Sequence, residues 1–229
     1  MTNFEVQKIA KDTMAYLTEN LKVGMKLKEL KLIAENKMKE LGASGFWYYG
    51  IGALIFAGEQ TTLSVSGKKY KVADRAIMEN DIITVDLSPC SGNIWGDYAR
   101  TLIIENGKFC SNENTIQNAE WKEGVVMEKS LHDELLSFAN VDTTFDELNI
   151  RISELIADKG YVNLDFLGNL GHSITTKKSK RIYIEKGNKV RLSDVGYFTF
   201  EPHIAKKGGR FGFKCENIYY FSDGKLKEL

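Results

Sequence analysis

Four carboxylates sit where the chain otherwise asks for an apolar interior. The run from Thr84 to Ile104 (TVDLSPCSGNIWGDYARTLII) reads as two strands joined by a Pro/Gly turn, yet it carries Asp86 and Asp97 among core-forming neighbours. The pattern returns near the end, where Tyr197–Ile204 (YFTFEPHI) and Phe211–Phe221 (FGFKCENIYYF) each hold one glutamate, Glu201 and Glu216. Burying an ionised carboxylate costs several kcal/mol unless something positive compensates it, and four gathered together also repel one another. Lys214 is the one lysine set centrally in these strands. Strand alternation puts it on the same face as Glu216, which allows one ion pair and leaves three acids unmatched.

Divalent cations answer the problem. Carboxylate oxygens with an imidazole suit manganese, iron, cobalt or zinc, and two ions roughly 3.5–4 Å apart with shared carboxylates are a recurrent hydrolytic arrangement. The chain has three histidines. His132, beside Ser130 and Asp133 in a polar helical stretch, is expected on a solvated helix surface. His172 lies in a glycine-flanked turn that can project an imidazole inward, and beside four strand acids it is the favoured ligand. His203 is ambiguous, because Pro202 interrupts the strand that would place it beside Glu201.

Around these strands the pattern is α+β. Helical spacing predicts helices over Phe4–Leu21, Leu27–Leu41 with a Gly42 cap, from about Asn114 to Ala139, and Phe145–Gly160. Aromatic and β-branched residues predict antiparallel sheet over Phe46–Val72 and Ile82–Ile104, and strand again after Val190. The halves echo each other. Leu27 matches Phe145, Glu29 matches Glu147, Leu30 matches Leu148, Met38 matches Ile156, and Gly42 matches Gly160. With an acid pair downstream in each half, duplication is the better account, giving pseudo-repeats of about 1–110 and 111–229 in one catalytic-type domain.

Composition narrows the partners. Thirty-one basic residues balance thirty-one acidic ones, so no overall field draws nucleic acid or an anionic membrane. Cys90, Cys110 and Cys215 are odd in number and widely spaced, as suits a reducing compartment. No stretch approaches the roughly 20 apolar residues of a membrane span. The expectation is a cytoplasmic protein with a peptide substrate and with no nucleic-acid or membrane partner; a homodimer is compatible with the sequence.

Asp86 with Asp97, Gly171-His172, Phe200-Glu201-Pro202 and Cys215-Glu216-Asn217 resemble the five-ligand set of the pita-bread metallopeptidases, which include methionine aminopeptidase, aminopeptidase P and prolidase. The resemblance covers nearly the whole chain. Trp95-Gly96-Asp97-Tyr98 and Phe198–His203 are closer to the aminopeptidase P and prolidase side. It implies a pseudo-two-fold pita-bread fold in which Asp86 chelates one ion, His172 and Glu201 the other, and Asp97 and Glu216 bridge both. It further implies that a hydroxide between the ions attacks the carbonyl of the first peptide bond, with Glu201 as proton shuttle. Trp95 and Tyr98, beside the ligands, are candidates for the substrate pocket. Relatives on that side usually carry an extra N-terminal domain, so the chain is expected to be a free-standing catalytic domain.

Two family histidines are missing. The upstream one falls in Thr62–Ser66 (TLSVS), and the place seven beyond His172 is Ser179. Those histidines contact substrate and steady the oxyanion, and one such donor is typically worth about 10²- to 10³-fold in rate. His203 is the candidate substitute. The basic run Lys177–Arg181 reads as a solvated loop, or alternatively as a clamp for an acidic group. The leading expectation is therefore a dinuclear aminopeptidase of Xaa-Pro type using manganese, cobalt, zinc or iron. The alternatives are a metal-binding but catalytically impaired relative that recognises peptides or a protein, and a metal-free structural copy.

Overall fold

The computed structural model describes residues 1–229, except the side chain of Lys178. The chain begins with helices α1 (Asn3–Asn20) and α2 (Leu27–Glu40). α1 starts in a capping box: Thr2 Oγ1 accepts from the Glu5 amide at 3.3 Å, and the Glu5 carboxylate accepts from the Thr2 amide at 2.7 Å. Val6, Ile9, Ala10, Met14 and Leu17 form its buried stripe, and Leu27, Leu30, Ala34 and Met38 that of α2. Strands β1 (Gly45–Phe46), β2 (Ala53–Ala57), β3 (Asp81–Leu87), β4 (Pro89–Ser91), β5 (Ile94–Trp95), β6 (Tyr98–Glu105) and β7 (Lys108–Phe109) follow. The plan then repeats with α3 (Ala119–Phe138) and α4 (Phe145–Asp158) before the remaining strands. These are β8 (Tyr161–Asn163), β9 (Ser173–Ile174), β10 (Tyr197–Phe200), β11 (His203–Lys206), β12 (Gly212–Lys214), β13 (Asn217–Ser222) and β14 (Lys225–Glu228).

Every ladder is antiparallel, in the orders β2-β3-β6-β7, β14-β13-β10-β9, β12-β11-β8 and β1-β4-β5. This is an α+β architecture with two helices and two small antiparallel sheets in each half. The halves meet at Ala99. On one side it opposes Asp86 in the β3–β6 ladder; on the other it bridges to Glu216, whose amide donates to the Ala99 carbonyl at 2.9 Å.

Alternation along β3 decides what faces where. Ile83, Val85 and Leu87 pack with Leu102, Ile104 and the stripes of α1 and α2. The opposite face carries Ile82, which joins the core under α3 and α4, and Thr84 and Asp86, which line a cavity.

Two expectations are corrected. Phe46–Val72 is mostly not sheet: after β2 the chain forms a 3₁₀ turn at Gly58–Thr62 and runs without strand to Asn80. Its aromatic and branched residues, including Tyr48, Tyr49, Leu63 and Val65, line the cavity wall instead of a ladder. The third helix starts at Ala119, where the Asn118 side chain accepts from the Trp121 amide at 3.1 Å, and not near Asn114. Among the described residues no helix is long and apolar enough to cross a membrane.

α3 lies so close to β12 that a Cβ on Gly124 would stand 2.2 Å from the Phe213 ring, itself 1% exposed. The ring has no room to yield, so Gly124→Val is expected to lower the unfolding free energy by roughly 1–3 kcal/mol. Urea denaturation monitored by tryptophan fluorescence measures this, and unchanged stability would contradict the packing described.

Candidate metal centre

Each acid is held by its backbone. Asp86 is turned from the helices by the pleat of β3. Asp97, just before β6, is gripped by Gln7 of α1: Gln7 Nε2 donates to the Asp97 carbonyl at 2.8 Å, and the Asp97 amide donates to Gln7 Oε1 at 2.9 Å. Glu201 follows β10 and Glu216 precedes β13, one step beyond the paired residues Phe200 and Asn217, so the ladder sets them opposite each other. Pro202, lacking an N–H, ends β10. His172 precedes β9; its amide donates to Thr199 Oγ1 at 3.0 Å and its carbonyl accepts from the Thr199 amide at 2.7 Å. Gly171 makes that approach possible: its φ is +145°, and a Cβ there would stand 2.2 Å from the Thr199 carbonyl oxygen.

The five residues converge. Asp86, Asp97 and Glu216 each offer an oxygen within 4.8 Å of the others. His172 Nε2 lies 3.5 Å from Glu201 Oε1 and 3.7 Å from Asp97 Oδ2. Lys214 Nζ stands 2.6 Å from Asp86, 3.1 Å from Glu201 and 3.6 Å from Glu216. The single ion pair expected for Lys214 is thus a three-way contact, tightest at Asp86.

Burial, then Asp86 and Glu201, push the Asp97 carboxyl well above its usual range. Burial, then Asp97 and Glu201, do the same to Glu216. Burial also raises Asp86, with Lys214 opposing. Burial would raise Glu201 too, but Lys214, by charge and by hydrogen bond, and Arg181 oppose it, and this carboxyl is lowered. For Lys214 burial is overcome by Asp86, Glu216 and Glu201, which hold the ammonium charged. Burial lowers His172 to about 4, so its ring is neutral at physiological pH.

Those facts fit a divalent cation. His172 Nδ1 faces the Ser173 carbonyl at 3.3 Å and so carries the ring proton, which leaves Nε2 an acceptor aimed at two carboxylate oxygens. A cation between these facing acceptors would relieve their repulsion. Both Glu216 oxygens are buried without a hydrogen-bond partner among the described residues. One ammonium leaves most of the negative charge of four acids uncompensated, and the O/N donor set suits a first-row divalent ion.

Asp86, Asp97, His172 and Glu201 line a cavity of about 380 Å³ whose other walls are largely aromatic and aliphatic. Trp95 and Tyr98, expected at the substrate pocket, do not line it. Trp95 is 1% exposed, donates Nε1–H to the Thr175 carbonyl and packs on Trp47; the Tyr98 ring lies under the Arg100 guanidinium, 3.8 Å from its centroid. Trp47 and Tyr48 take the wall position instead. His132 is not on a solvated surface: it is 6% exposed on the inner face of α3, with Nε2 donating to the Cys215 carbonyl at 3.2 Å and Nδ1 accepting from Tyr219 at 2.7 Å. His203 lines the cavity with Nε2 against the Thr61 carbonyl at 2.7 Å. Leu63–Ser66, the region searched for the upstream histidine, lies on the wall, whereas Ser179 is exposed. In the basic run Arg181 joins the wall over the Trp47 and Tyr183 rings, and the Lys178 side chain lies outside the described residues. Gln7 was readable only as a polar residue on an apolar helix stripe; Asp165 and Tyr183, also on the wall, carry no sequence signal.

Residues 4–223 match the profile described as metallopeptidase family M24. No curated protein sequence matches the chain. Among solved structures it is similar to X-Pro aminopeptidase from Thermotoga maritima MSB8, with TM-score 0.79 and 21% identity over 98% of this chain and 58% of that one. Prolidase from Pyrococcus furiosus gives TM-score 0.77 and 21% identity over 98% and 61%. Methionine aminopeptidase from Thermotoga maritima gives 0.76 and 14% over 98% and 93%. At such identities the likeness is one of fold. The chain spans less than two thirds of the X-Pro aminopeptidase and the prolidase.

The raised pKa values of Asp86, Asp97 and Glu216 mean that the metal-free fold is favoured while they are protonated and loses stability as pH rises through their folded values, with Glu201 working the other way. A divalent ion binds the ionised forms and removes that cost. Manganese is therefore expected to raise Tm, and the increment to grow from mildly acidic to neutral pH and shrink in Glu216→Gln. Differential scanning calorimetry with and without the ion checks this; a pH-independent increment would count against it.

Proposed function

Because the chain belongs to metallopeptidase family M24, we propose that it hydrolyses the N-terminal bond of short peptides, Xaa-Pro bonds foremost, with two divalent ions held by Asp86, Asp97, His172, Glu201 and Glu216. The observation that carries this reading is the acceptor set: His172 Nε2 faces carboxylate oxygens at the wall of a cavity able to enclose a short peptide, and the two Glu216 oxygens, without a hydrogen-bond partner among the described residues, are buried beside it. Bound divalent ions would supply Lewis-acid polarisation of a carbonyl and activation of water. The preference for Xaa-Pro is supported by the X-Pro aminopeptidase and prolidases among the similar folds.

The chain's own groups take the remaining tasks. Glu201, lowered and partly exposed to the cavity, is the base placed to accept a proton and return it to the leaving nitrogen. Leu54, Phe56 and Phe166 offer an apolar wall to a side chain or a proline ring. His203 takes a narrower role than expected. Burial lowers it to about 4, so it is neutral; with Nε2–H donated to Thr61, its Nδ1 can accept from a substrate N–H but cannot donate to an oxyanion.

A metal-binding but slow relative is the second reading, favoured by aliphatic and hydroxyl residues at Leu63–Ser66. Assaying Xaa-Pro and Met-Xaa peptides with manganese, cobalt or zinc separates the two. Metal-dependent cleavage of Xaa-Pro is expected, falling about 10²- to 10⁴-fold in kcat in Glu201→Gln. Bound metal with no turnover on any peptide would establish the slower relative instead.

A further inference from the structure

The cavity at the metal centre opens through an apolar mouth. Tyr49, Leu63, Phe166 and Leu167 all line it and yet are 56%, 45%, 55% and 67% exposed, so each stands at the opening with much of its side chain in water. Asp86, Asp97, His172 and Glu201, on the same cavity, have side chains at most 21% exposed and form its inner end. Turns that face water ordinarily carry polar residues, and large apolar side chains gathered at one opening mark a docking place.

The four residues come from three segments that the fold ties into one rim. The Phe166 amide donates to Ser64 Oγ at 3.3 Å, which brings the turn of the second half against Leu63–Ser66 of the first. The Gly67 amide donates to the Tyr48 hydroxyl at 3.3 Å, and a Cβ on Gly67 would stand 2.7 Å from the Tyr49 ring, so the same segment also closes on Tyr49. The rim is held in shape. The Asp165 carboxylate accepts from the Leu167 and Asn169 amides at 2.9 and 3.1 Å, which fixes the turn that presents Phe166 and Leu167. Tyr49 has a φ of +53°, a left-handed backbone that bulky side chains rarely adopt, and its ring packs on Tyr48 beneath the Lys68 ammonium. Backbone held in that conformation recurs at ligand clamps.

We propose that this rim is a subsite for the downstream part of the substrate, with apolar side chains at the third and fourth peptide positions lying on Tyr49, Leu63, Phe166 and Leu167. The proposal rests on the aminopeptidase reading, in which the N-terminal residue and the carbonyl under attack sit against the metal ligands at the inner end. A volume of about 380 Å³ is near the lower end of the roughly 300–1,000 Å³ usual for ligand pockets, so the later residues of a longer peptide lie at the mouth. The substrate class is therefore an oligopeptide that continues as an apolar stretch past the proline, and not a free dipeptide.

Ala-Pro-Leu-Leu and Ala-Pro-Asn-Asn, nearly equal in shape and opposite in polarity at the rim positions, test this on the full chain with manganese. Partial burial of two leucine side chains is expected to give the first peptide a kcat/KM about 10- to 100-fold higher. Leu167→Ser should shrink that ratio by about 3- to 10-fold. Calorimetric titration of both peptides into the full chain before metal is added makes the same comparison without turnover. Preferential binding of the Leu-Leu peptide with no cleavage would therefore sink the hydrolytic reading and leave the rim standing. Cleavage or binding of the two peptides alike, binding of neither, or a ratio unchanged in Leu167→Ser would overturn the rim. A mouth closed by a second copy of the chain would overturn it as well, and would show as a dimer on gel filtration that Leu167→Ser dissociates.

Discussion

The backbone of Ala99 is shared by the two halves of the molecule, opposite Asp86 on one side and bridged to Glu216 on the other. That single residue brings acids from the two halves together, with oxygens of Asp86 and Glu216 within 4.8 Å of each other. Asp97 comes with it two positions earlier in the chain, and Glu201 comes with Glu216 through the β10–β13 ladder. The convergence is therefore a property of strand register. A one-residue slip in either ladder would turn an acid to the opposite face, where apolar side chains pack.

Such an arrangement is electrostatically poor without compensation. Lys214 relieves it in part, holding Asp86 and Glu201 and reaching Glu216 only at 3.6 Å. The imidazole contributes no charge. The fold thus keeps a concentration of negative charge in a largely buried place, which is the condition under which structural stability is given up for ion binding.

Much of this was legible in the chain. Acids in apolar strands, a glycine-flanked histidine and paired helix patterns were sufficient for the α+β architecture and for the five converging residues, because burial cost and alternation act on local sequence. What was not legible depended on tertiary placement. Trp95 and Tyr98 look like pocket residues by proximity in sequence, but β5 and β6 carry them into packing against Trp47 and Arg100. His132 looks solvated by its neighbours, yet it falls on the stripe of α3 that holds Glu128 and Leu135. The run after β2 has strand composition and becomes cavity wall, since composition records burial and not pairing.

The Ala99 junction also bears on biosynthesis. The first half can form its helices, its sheet and the Gln7 grip on Asp97 as it leaves the ribosome, but the carbonyl of Ala99 waits for the amide of Glu216, which is made more than a hundred residues later. Until then Asp86 lacks Lys214 and Asp97 lacks His172, the partners that the second half supplies. The cluster of acids is accordingly complete only late in translation, once nearly all of the chain has been made.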